Sequence, residues 1–273
     1  MHEGSYRMGA EFEGKVVFIT GGASGIGRAL AIEFASCAAQ VVVCSRSTDK
    51  LEALTLHAER EKLSISCVQV DVRDQSALRE TAQDIVDKHG SLDVWINNAA
   101  VVIDKPVLEF SDDDWQTIVS TNLKAVFEGS RIAARQMMTQ ESGGVIINAS
   151  SYASLIPHSQ GALYAMTKAG VSSLTRSMAG NFAPYGIRVF GFIPGMIRTE
   201  MSTNSINSYE NEYVKNIALG RLGQPEDLSR LIVFLASDDA GYFTGTEIEI
   251  TGGKYCVQNA SLPWQWRKAY DEQ

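Results

Sequence analysis

The chain has 273 residues, 45% hydrophobic and 21% charged, ordinary values for a soluble globular protein. Its net charge of −8 argues against a partner gripped by its phosphate backbone, and no basic block or aromatic-interleaved basic patch is present. No apolar run approaches the roughly 18–20 residues of a bilayer-spanning helix, so neither nucleic acid nor membrane is an expected partner.

Short β-branched runs alternate with longer amphipathic stretches. Residues 1–13 read as a flexible lead without an apolar signal core. KVVFIT (15–20) predicts a buried strand, followed by a helix over IGRALAIEFASCA. QVVVCS (40–45) and ISCVQV (65–70) are further strands, each followed by a helical stretch. LDVWINNAA (92–100) is a fourth strand, and SDDDWQTIVSTNLKAVFEGSRIAARQMM predicts one long helix with an acidic first turn. Asp112, Asp113 and Asp114 are read there as cap and dipole partners. GGVIINAS (143–150), IRVFGFIP (187–194) and EIEITGG (247–253) complete the strands. Near-continuous apolar strands separated by helices predict a doubly wound parallel sheet of about seven strands, helices on both faces. One domain spanning 14–253 follows, with a tail over 254–273. Residues 195–220 exceed an ordinary connection and predict a substrate lid, the alternative being a plain surface helix pair.

The four cysteines form no Cys-x-x-Cys pair and read as free thiols of a reducing, cytoplasmic compartment. The four histidines lack zinc-ligand spacing, so no metal is expected.

The glycine loop TGGASGIG follows the first strand and opens the first helix. Gly21, Gly25 and Gly27, with Ser24 and Ile26 between them, let backbone approach a pyrophosphate at a helix N-terminus. Asn98, Ala99 and Ala100 end the fourth strand as a wall against a flat ligand. Asp71 and Val72 end the third, where a carboxylate can meet an adenine amino group or cap the next helix. After the second strand stand Ser45 and Arg46, where an acid would serve the ribose hydroxyls of NAD. A guanidinium there suits a 2′-phosphate, so NADP(H) is preferred, with NAD(H) as the alternative and a solvated Arg46 as the bland reading. Tyr164 and Lys168 lie four apart, one face of one helix turn. A mixed surface face would also produce that pair.

Together, TGGASGIG, NNAA, Asn122 in TNL, Ser151 in NASS, YAMTK, PGMIRT and FLASDDAGYFTGTEIEITGG resemble the short-chain dehydrogenase/reductase family over nearly the whole chain. The resemblance implies Tyr164 as proton donor or acceptor and Lys168 as the group that lowers its pKa and binds the nicotinamide ribose. A phenol that titrates near 10 must come down by about 3 to work at pH 7, about 4 kcal/mol. Ser151, thirteen residues before Tyr164, would bond the substrate carbonyl, with Ser150 the competing candidate. Asn122 would hold a water in a proton relay, or simply bond backbone. Thr199 would touch the nicotinamide carboxamide, with Pro194, Gly195 and Ile197 at the wall. Val102, Tyr152, His158, Met196 and Met201 are candidate substrate contacts. Reduction of an apolar ketone or aldehyde with NADPH is expected. An NAD-linked alcohol dehydrogenase, a C=C reductase or a silent nicotinamide sensor are alternatives. Relatives of this kind are commonly dimers or tetramers.

Overall fold

The computed structural model describes residues 11–271. Its seven strands are β1 Val16–Thr20, β2 Gln40–Ser45, β3 Ile65–Gln69, β4 Val94–Asn97, β5 Gly144–Ala149, β6 Ile187–Pro194 and β7 Glu247–Ile250. All pairings are parallel, in the order β3-β2-β1-β4-β5-β6-β7. The order reverses between β1 and β4, which opens a crevice beyond their carboxyl ends.

Alternation along β1 divides the core in two. Val17 and Ile19 pack with Leu30 and Phe34 of α1 (Gly25–Ser36), Leu54 of α2 (Thr48–Glu61) and Ile232 of α8 (Glu226–Ala236). Val16 and Phe18 pack on the other face with Leu78 of α3 (Gln75–His89), Ile132 of α5 (Ala125–Met137) and Met178 of α6 (Ala162–Phe182). Phe12, assigned from sequence to the lead, is buried against the Phe34 ring at 5.0 Å, so core packing starts there. Residues 1–10 of that lead lie outside the described residues.

The stretch expected as one long helix is interrupted. α4 (Asp112–Val119) gives way to a π-turn, Ser120–Lys124, before α5 begins. The Ala125 N–H reaches back five residues to the Ser120 carbonyl. Such a turn inserts a residue without changing composition, and π-bulges concentrate at functional sites. Of the three aspartates, Asp114 completes a capping box with Ser111 and also pairs with Lys105 at 2.7 Å.

Residues 195–220, expected from sequence as a lid, hold the short turn Glu200–Ser202 and α7 (Thr203–Lys215), which breaks at Tyr209. Ile206, Ile217 and Leu222 form a small core there, with Met196 packed against it. The tail helix α9 (Leu262–Asp271) docks on this segment, the Trp264 indole N–H donating to the Ala218 carbonyl at 2.9 Å. The Lys254 ammonium lies 5.0, 5.8 and 5.5 Å from the ring centroids of Tyr152, Tyr213 and Tyr255. Its cation–π contacts thus join the loop after β5, α7 and the tail.

Candidate active site

The carboxyl ends of the central strands converge on a cleft of about 570 Å³. Its near wall is the glycine loop. Gly21 has φ +64, and a Cβ there would lie 2.9 Å from the Ala99 Cα. A Cβ on Gly27 would lie 2.3 Å from the Gly21 carbonyl oxygen and 2.5 Å from the Asn98 amide nitrogen. Asn98 donates its side-chain amide to the Thr20 and Gly21 carbonyls, both at 3.1 Å. The Thr20 hydroxyl accepts from the Asn98 and Ala99 N–H groups at 3.0 and 3.1 Å. Asn98 therefore staples the loop to β4, and this explains why an amide is needed there. The Ser24 side chain makes no cap bond at the start of α1, so that helix offers N–H groups to the cleft.

Gly21, Ser24, Gly25, Ile26, Ser45, Arg46, Val72, Asn98, Ala99, Ala100, Pro194 and Thr199 line the cleft. Gly27, Gly195 and Ile197 stand behind its wall. Gly195 lies where a Cβ would meet the Thr251 backbone at 2.8 Å, and Ile197 is buried in the bridge to Gly223. Asp71 does not line the cleft itself; Arg73 binds its carboxylate at 2.6–3.0 Å and holds it below its ordinary pKa.

A nicotinamide dinucleotide fits these residues. The glycine cradle has no room for side chains, and the α1 N-terminus lacks a side-chain cap. Sequence reasoning missed a third feature: the Thr121 hydroxyl, buried at the cleft wall without a hydrogen-bond partner. Nothing in its local sequence marks it, because the π-turn brings it there.

The far wall carries the residues expected from sequence to act as acid and base. Lys168 is 2% exposed, and its ammonium donates to the Ala149 carbonyl at 2.7 Å. Burial pushes it down to about 8, against the upward pull of Glu247. It lies 5.7 Å from the Tyr164 ring centroid. The Tyr164 phenol is held above its ordinary value, first by burial, with the Ser151 hydrogen bond lowering it and Asp104 raising it. Lys168 is not among the groups that shift the phenol, so in the protein alone desolvation of the phenolate sets the direction.

Ser150 and Ser151 separate by role. Ser150 is buried and bonded to the Ser172 hydroxyl at 2.9 Å and the Lys168 carbonyl at 3.3 Å. Ser172 continues to Glu247 at 2.9 Å, a polar brace behind Lys168. Ser151 faces Tyr164, and its hydroxyl also accepts from the Ala153 N–H at 3.1 Å.

Asn122 is fully buried, its amide spent on both backbone groups of Val101. Of the expected substrate contacts, Val102 and Met201 line the cleft. Tyr152 is 8% exposed and packs on Tyr255, and Met196 faces the lid core. His158 sits over Gly161 and 3.7 Å from Asp104, bridging the loops after β4 and β5. Among the described residues no cluster of three metal-ligating side chains is present, and no helix is long and apolar enough to cross a membrane.

A family model described as "Enoyl-(Acyl carrier protein) reductase" matches residues 21–254. The 3-oxoacyl-(acyl-carrier-protein) reductase FabG of Thermotoga maritima is 35% identical over 241 residues, 88% of this chain and 98% of that protein. The protein of the same description from Staphylococcus aureus is 35% identical over 242 residues, with 88% and 98% covered. The crystal structure of a short-chain type dehydrogenase/reductase from Mycobacterium marinum aligns with a TM-score of 0.86 at 34% identity, covering 90% of this chain and 97% of that one. Glycine cradle, sheet order and relatives agree: the chain belongs to the short-chain dehydrogenase/reductase family and is an NAD(P)-dependent oxidoreductase of CH–OH and C=O groups.

Proposed function

We propose that the chain is an NADPH-dependent reductase of an apolar ketone, with 3-oxoacyl compounds the first class to test. The observation that carries this reading is the cluster of Ser151, Tyr164 and Lys168 on the wall opposite the glycine cradle. The cofactor would be held by the α1 N-terminus, Thr199 and Lys168, with Arg46 at its 2′ end. It supplies a hydride when bound. Ser151 donates a hydrogen bond to the substrate carbonyl oxygen and stabilises the charge that develops there. Tyr164 then donates its phenolic proton to that oxygen. Its upward-held pKa suits this direction, because the acid form is the one reduction needs. Lys168, still largely protonated at neutral pH, stabilises the phenolate left behind.

The substrate class is supported by the relatives' 3-oxoacyl description and by the apolar Val102 and Met201 in the cleft lining. The matched family's description names enoyl reduction instead. A phenol and an ammonium one helix turn apart, with Ser151 beside the phenol, favour carbonyl chemistry. The test follows nicotinamide absorbance with NADPH and NADH against 3-oxoacyl thioesters, simple ketones, aldehydes and enoyl thioesters. Turnover of the 3-oxo compounds with NADPH supports the proposal. Turnover confined to enoyl thioesters, or to NADH, overturns it. Half-exposed Trp115, Phe127 and Met138 offer apolar surface to a second copy, and the free Cys37, Cys44 and Cys67 suit a reducing cytoplasm. A homo-oligomer is therefore part of the proposal, read by light scattering.

A further inference from the structure

The outer end of the cleft is bridged by an ion pair. Lys50, in the first turn of α2, contacts the Glu200 carboxylate at the base of the lid. Both residues line the cleft beside Arg46, and the other charged residue lining it is Lys168 on the far wall. The neighbouring Thr199 packs so closely on the glycine loop that a Cβ at Gly25 would meet its methyl at 3.2 Å. Asp71, the nearest acid on β3's side, is already neutralised by Arg73. Arg46, Lys50 and Glu200 together present one net positive charge, split so that the carboxylate occupies the ammonium.

That arrangement is poorly matched to a dinucleotide ending in two hydroxyls and well matched to one ending in a phosphate. A phosphate monoester carries nearly two negative charges and takes charge-assisted bonds from more than one cation. The existing pair is exposed, 41% and 68% for the two side chains, so its own contribution is small and screened. A second anion can therefore displace Glu200 at little loss.

We infer that Lys50 is a second determinant of the 2′-phosphate preference and that Glu200 is its built-in competitor, the lid carboxylate holding in the free protein the ammonium that the phosphate takes in the complex. This rests on the NADP(H) reading above. Arg46 then supplies a planar fork and Lys50 a point charge.

The test measures dissociation constants on the full chain by calorimetry for NADPH, NADH, adenosine 2′,5′-bisphosphate and 5′-AMP. Lys50→Met should weaken NADPH and the bisphosphate about tenfold, and leave NADH and 5′-AMP within about twofold. Glu200→Gln should tighten NADPH and the bisphosphate about threefold, without changing NADH. The gain from Glu200→Gln should vanish in the Lys50→Met background, the sign that the two act through one contact. Both side chains are largely exposed, and circular dichroism would confirm that the variants fold. NADPH affinity indifferent to both substitutions, or NADPH and NADH moving together, overturns the inference while leaving the cofactor assignment standing. Wild-type protein that binds NADH as tightly as NADPH overturns both.

Discussion

Asn122 holds Val101 from both sides: its amide oxygen accepts from the Val101 N–H and its amide nitrogen donates to the Val101 carbonyl, each at 2.8 Å. The side chain thus acts as a short extra strand edge for the loop that leaves β4. Asn122→Ala should lower stability by about 2–3 kcal/mol, because two partly buried backbone groups lose their partners. Asn122→Asp should cost at least as much, since a carboxylate cannot donate to the carbonyl. Urea midpoints at constant slope measure this.

Tyr164→Phe should reduce turnover by about 10²–10⁴-fold by removing the transferred proton. Ser151→Ala should cost about 10²–10³-fold by removing the donor to the developing charge. Both should bind NADPH as tightly as wild type, which calorimetry reads independently of turnover. A Ser150→Ala variant should instead lose stability, its hydroxyl being tied to Ser172 and Lys168.

Lys168 makes stability depend on pH with a definite sign. Folded, it titrates near about 8, against an ordinary 10.5. Below about pH 8 both folded and unfolded chains hold the proton, and the buried ammonium costs about 3 kcal/mol. Between about 8 and 10.5 the unfolded chain holds more protons, so this group's contribution to stability rises with pH. Lys168→Met removes that rise. The difference in unfolding free energy, variant minus wild type, should therefore fall by about 3 kcal/mol across this window in urea titrations.

Glu247 raises Lys168 from behind through its charge. Glu247→Gln keeps an acceptor for Ser172 but drops the charge, so Lys168 loses its proton at lower pH. The alkaline limb of the kcat/KM profile should move down, with the acid limb unchanged.

Gly27→Ala should abolish cofactor binding and destabilise the fold by more than about 2 kcal/mol, because its Cβ would lie 2.3 Å from a backbone oxygen. Gly180→Ala is the control. Beyond its own helix nothing lies within 4 Å of a Cβ there, so an alanine in the last turn of α6 should stabilise by about 0.5 kcal/mol.

The sheet was legible because its strands are β-branched runs with both faces covered, so VVFIT or IRVFGF admits little else. Tyr164 and Lys168 were legible because one helix carries both. What escaped depends on residues distant in sequence. The spacing to Tyr164 favours Ser151, but the brace that holds Ser150 is invisible because Ser172 and Glu247 lie 22 and 97 positions from it. The single long helix expected over Asp112–Met138 failed at Ser120–Lys124, where a π-turn leaves no compositional trace. The salt bridge between Arg73 and Asp71 escaped because the conformation that joins them is a turn, not a periodic element.

The tail's hydrogen bond from Trp264 to Ala218 places a natural chromophore against the segment after β6. Its indole ring rests on Gly220, where a Cβ would come to 3.0 Å, so any displacement of that backbone changes the surroundings of the ring. The part of the emission that is lost on Trp264→Phe, with Trp95, Trp115 and Trp266 kept as the common background, would report the surroundings of that segment in real time and without an attached dye.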